Sequence, residues 1–280
     1  MDRSLTLYEI PLPHENLDKA HVQETAFYLQ IMTILHDIYA LQRAIIISGP
    51  KLGESVVDGS VVSSQVAQSF SFVKSLAGVL CEAYECMQFG YYADNRLALK
   101  CRGFKKYKVR NKFIKKYNMV DLDSVYEPLM SKDAKNAQEA LEKYFSKKNL
   151  LRRLRNKYAF HYDFQEAVKN IRKFKEIDDP HIILEESSAN CCYVSANQWL
   201  ILRALQVKAD EKKLKEKFEK LMEEAVEQAK NMADFFHGFI LAYSEKYLNV
   251  DMSKAKGSTL DNVMFIDEIK FPFFSKRRQT

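Results

Sequence analysis

HVQETAFYLQIMTILHDIYALQRAIII, residues 21–47, decides the fold class of this chain. Its apolar residues recur at spacings of three and four, the period that puts them on one face of an α-helix. Asp18 is placed to cap its start, and SGPKLGES, residues 48–55, supplies the Gly and Pro that end it. A helix of this length is expected to be central. The same eight residues superficially suggest a phosphate loop. They follow a helix rather than a strand, however, and lack the Gly-Lys-Ser/Thr ending that puts a lysine on phosphate and a hydroxyl on magnesium, so they read as a connector.

Working outward, the chain has 280 residues, 47% of them hydrophobic, but only 8 Gly and 6 Pro. Turns are therefore scarce, and a mainly α fold is the economical reading. A second helix is expected over SSQVAQSFSFVKSLAGVLCEAYECMQ, residues 63–88, and a third region begins at Ser131 and runs through ALEKYF. After DDP at 178–180 the pattern changes. HIILEE and CCYVSA are short β-prone runs around SSAN, which predicts a hairpin. Ser195 and Gln198 form a capping box for a long helix, or two helices joined near Asp210, extending to Leu248. NVMFIDEIKFPFF, residues 262–274, reads as a strand able to join the hairpin, and SKRRQT as a loose tail. The expected organisation is a helical bundle over 1–178, with the hairpin, long helix and C-terminal strand over 179–280 packed on it as one unit.

Five cysteines, Cys81, Cys86, Cys101, Cys191 and Cys192, are odd in number and lack paired spacings. They read as reduced thiols in a cytoplasmic protein. No basic-then-apolar leader opens the sequence, and no segment is read as reaching the roughly 20 apolar residues that span a bilayer, so no membrane is expected among the partners.

Charge is informative through its distribution. The formal net charge is a modest +6, yet residues 100–117, KCRGFKKYKVRNKFIKKY, hold nine Lys or Arg and no acid, with Phe and Tyr interleaved. Cations neutralise phosphates and rings stack on unpaired bases. Lys105, Lys106, Tyr107, Lys108 and Arg110 are therefore candidate RNA contacts, the alternative being a solvated helix whose rings face the core.

The other basic stretch is LRRLRNKYAFHYDF, residues 151–164. On a continuous helix over 151–174, Leu151, Leu154, Tyr158, His161, Phe164, Val168 and Ile171 share one stripe, and Arg155 lies about 120° around from His161. The two side chains would then flank a groove, unless a break at Asn156 or a second copy of the chain brings them together. RNKYAFH, residues 155–161, resembles the signature of HEPN domains, an Arg followed by a polar residue and then a His, here spaced Arg-Asn-x4-His. The resemblance implies a dimerising all-helical bundle with two such motifs at its interface, which in many members cuts RNA without metal, and it brings toxin–antitoxin and phage-defence roles, with an inhibitory protein partner, into view.

The residue chemistry is compatible with that. His161 titrates near working pH and can act as base or acid. Arg155 presents a permanently charged fork of donors to a phosphate. Asn156 can orient the scissile group or cap a helix, and Tyr162 can contact RNA or pack in the bundle. Glu82 and Glu85 are candidate polar partners of His161, or surface groups. No two-His helical motif or carboxylate cluster suggests a metal site, and no cofactor is expected. The competing reading is a non-catalytic RNA-binding or protein-interaction bundle in which Arg155 and His161 are structural.

Overall fold

In the computed structural model, residues 5–9, 20, 22–48, 59–89, 125–156, 196, 200, 204–205, 211–248 and 256–260 are described. The long apolar stretch forms α1 (Val22–Ser48), and the second predicted helix forms α2 (Gly59–Phe89), extended slightly at both ends. On α1 the buried positions are Glu24, Phe27, Tyr28, Ile31, Leu35, Ile38, Ile45 and Ser48, close to the three-and-four spacing of a single stripe. The proposed Asp18 cap lies outside the described residues.

Tyr126 begins the next segment, a 3-10 turn at Glu127–Leu129. The chain then enters α3 (Lys132–Phe145) at Ser131, whose side chain accepts a hydrogen bond from the Ala134 amide at 3.2 Å, so the helix starts where its sequence predicts. A five-residue helix, α4 (Leu150–Leu154), follows after Asn149, whose Oδ1 accepts from the Arg152 amide at 2.8 Å. The long C-terminal helix, α5 (Glu211–Tyr243), begins just after Asp210, where the sequence allows a junction. It continues into a wide, π-helical turn at Ser244–Leu248.

Two short strands complete the described elements: β1 (Leu5–Glu9) pairs antiparallel with β2 (Lys256–Leu260), with Leu5 opposite Leu260 and Glu9 opposite Lys256. The architecture is thus mostly helical with a small antiparallel sheet, as expected for the fold class. The ribbon's position was not anticipated: β1 lies in the N-terminal stretch and β2 just before the predicted C-terminal strand. Alternation is weak in LTLYE and KGSTL, and every β2 residue is exposed, so no buried face imposes a period-two pattern. The predicted hairpin, the Ser195–Gln198 capping box and the 262–274 strand lie outside the described residues.

The chain divides into two compact units that interleave along the sequence, one comprising Met1–Asp37, Leu80–Lys147 and Gln228–Val263, the other Ile38–Val79, Lys148–Glu227 and Met264–Thr280. The first has an aromatic core. Phe27 meets Phe239 edge-on at 4.8 Å, Tyr28 stacks on Tyr243 at 4.3 Å, Tyr126 leans on Phe239 at 4.4 Å, and Tyr84 stacks on Phe145 at 4.6 Å. Such pairs add to the burial of large apolar surfaces. In the second unit Phe70, Val73, Leu76, Leu151, Leu154, Ala204, Leu205 and Leu221 are buried, and the hydroxyls of Ser48 and Ser69 satisfy each other at 3.0 Å.

On length and composition, the expectation that no segment reaches a bilayer-spanning length does not hold for α1. Glu24–Ser48 is long and apolar enough to cross a membrane, with a window hydropathy of 1.3, of which 28% is buried. Its charged residues, Glu24, Asp37 and Arg43, are spread so that an 18-residue window takes in few of them. Core helices of soluble proteins pass the same test.

Candidate functional site

The basic motif begins on α4. Five residues make too few backbone bonds to persist alone, so α4 depends on its Asn149 cap and on Leu151 and Leu154, both fully buried. These leucines are the first two members of the predicted stripe. Arg155 forms the C-cap, its amide reaching the carbonyls of both Arg152 and Leu151, and Arg155 and Asn156 themselves adopt the wider π geometry. The 120° separation of Arg155 and His161 assumes unbroken α-helix from 151, and the register has already changed at 155–156.

Arg155 is half-buried and Asn156 exposed. The Arg155 Nη1 donates to Asn156 Oδ1 at 3.0 Å. Because a guanidinium has no acceptor, this contact fixes which end of the Asn156 amide faces the arginine and turns the amide NH2 away from it. The Asn156 side chain therefore engages the arginine, while capping of α4 falls to Asn149 at the other end. His161, Tyr162, Lys105, Lys106, Tyr107, Lys108 and Arg110 lie outside the described residues. Glu82 is exposed and Glu85 half-buried on α2. No group of three His, Cys, Asp or Glu able to hold a metal ion occurs among the described residues. Cys81 and Cys86 form no disulfide, and burial pushes the Cys86 thiol up to about 12, so it carries no nucleophilic thiolate near neutral pH.

A second polar cluster, in the first unit, was not singled out from the sequence. Glu24, in the first turn of α1, is almost fully buried, and its carboxylate gathers three donors. Oε1 accepts from the Tyr126 hydroxyl at 3.2 Å and from Lys246 Nζ at 3.3 Å, while Oε2 accepts from the Tyr247 hydroxyl at 2.5 Å. Lys246 also lies 4.6 Å from the Tyr247 ring centre and 5.1 Å from that of Tyr126. Beside them the hydroxyls of Thr25 and Tyr243 meet at 2.9 Å. Burial pushes the Glu24 carboxyl up, but the Tyr247 hydrogen bond, the Lys246 charge and the Tyr126 hydrogen bond outweigh it and hold it below its ordinary value. Burial, reinforced by the Glu24 charge, raises the Tyr126 hydroxyl strongly, so it stays protonated and donates. The sequence signal was faint: one acid opening an apolar helix, and YSEKY some 220 residues away.

No protein-family model matches the chain, and no curated protein or solved structure shows significant similarity to it.

Proposed function

We propose that this protein is a metal-independent endoribonuclease of HEPN type, in which Arg155 holds the scissile phosphate, Asn156 orients that arginine and His161 moves protons. The observation that supports this best is the Arg155–Asn156 pair at the end of a short, core-anchored helix, at the head of the Arg-Asn-x4-His spacing. An arginine whose fork is held by a neighbouring amide loses less freedom on binding a phosphate, and positioned cations stabilise the charge that builds on the phosphoryl oxygens. The RNA 2′-hydroxyl attacks the adjacent phosphorus as its proton passes to a base. The bond to the 5′-oxygen breaks, and that oxygen takes a proton from an acid. His161 is suited to one of these transfers.

RNA cleavage by the purified protein in excess chelator tests this. The expected products carry a 2′,3′-cyclic phosphate and a 5′-hydroxyl, His161→Ala abolishes cleavage without unfolding the chain, and a deoxyribose at the cleavage site blocks it. Chelator-sensitive cleavage that leaves a 5′-phosphate would overturn the chemistry. Wild-type activity in His161→Ala would remove the histidine from it.

A further inference from the structure

The turn that ends α5 is of an uncommon kind. Wide turns with i→i+5 hydrogen bonds account for well under 1% of residues, and they persist where side-chain contacts favour them over the α form. At Ser244–Leu248 those contacts are visible. Tyr243, Lys246 and Tyr247 all reach the first turn of α1, Tyr243 to Thr25 and the other two to Glu24, while Leu248 is fully buried. A wider turn advances less per residue around the axis, which narrows the arc between the adjacent Lys246 and Tyr247 and lets both face one carboxylate. We propose that Glu24 is a latch that holds residues 244–248 in the wide register, and that without its carboxylate this turn rewinds into ordinary α-helix.

The device is a two-state element. An i→i+5 ring encloses one residue more than an i→i+4 ring, so rewinding rotates and displaces everything the turn leads into, including the path toward β2. Interconversion of this sort is how a local charge change becomes a displacement, since packed elements switch between discrete arrangements rather than deforming smoothly. Lys246 is the part of the latch that solvent reaches, its side chain being 34% exposed against 3% for Glu24.

A thermodynamic cycle in the full-length chain tests the latch. One arm is Glu24→Gln, which keeps the side chain's size and removes its charge. The other deletes Ser244, which takes the extra residue out of the wide turn. In the wild-type background the deletion should lower the folding equilibrium constant about tenfold or more, because it breaks the Glu24 contacts. In the Glu24→Gln background it should be nearly neutral, and amide–amide NOEs in Glu24→Gln should show i→i+4 helix through residue 248. Tyr247→Phe, which retains the ring, should shift the turn in the same direction and serves if the glutamine variant folds poorly. Additive effects of the two changes, or a wide turn that persists in both Glu24→Gln and Tyr247→Phe, would show that burial of Leu248 alone sets the register and would overturn the proposal.

Discussion

Gly238 occupies a position on α5 where a Cβ would run into the Cβ of Ala134 on α3, so the helices meet there with no room for a methyl group. Elsewhere in a helix, Gly→Ala gains about 1 kcal/mol in propensity. Here overpacking against a neighbour that is itself on a backbone has a typical cost of about 1–3 kcal/mol. Gly238→Ala is therefore expected to destabilise by about 1–2 kcal/mol net, read as a lower midpoint in urea unfolding with an unchanged slope. Glu24 makes a prediction of the same grain. Its folded-state carboxyl is held below the ordinary value near 4.5, so the stability it contributes is fully present above that value and is lost as pH falls through the lower, folded-state one. Glu24→Gln should flatten the acid limb of the stability–pH curve; an unchanged limb would mean that the ion pair contributes nothing there.

At the scale of elements, α3 and α4 show how caps divide the labour. Ser131 was legible as a helix start, and its hydroxyl does receive the Ala134 amide. Ser131→Ala should cost about 1 kcal/mol, measured by thermal or urea unfolding. Asn149 was not legible, because a cap is recognised by the periodic run that follows it and α4 offers only five residues. Residues 151–174 have the spacing of one continuous helix, yet α geometry gives way at Arg155. Periodicity reports which face is buried and is blind to a change from i→i+4 to i→i+5 bonding, which barely disturbs the apolar stripe.

For the whole molecule, the proposed ribonuclease activity depends on a second copy of the chain supplying the other half of the site. Mixing an Arg155→Ala chain with a His161→Ala chain should restore part of the cleavage that neither has alone, provided the pocket is shared between subunits. The same mixture, weighed by light scattering, should contain heterodimers. Full activity from a species that stays monomeric at assay concentration would sink the shared site while leaving the single-chain chemistry open to the product analysis.

By itself the sequence determined the helical class, because scarce Gly and Pro and a three-and-four apolar period leave few other ways to bury so much hydrophobic surface. It also determined the approximate course of α1, α2 and α5 and the start of α3, and it singled out the Arg-Asn-x4-His spacing as the stretch with chemistry to offer. Only the tertiary structure decided where β1 pairs with β2, since that register joins residues some 250 apart and no local pattern encodes the partner. It likewise decided that Glu24, Tyr126, Lys246 and Tyr247 form one cluster. Each is unremarkable among its neighbours in the chain. Their meaning lies in burial, because a carboxylate removed from water requires donors that only the packing of distant segments can bring to it.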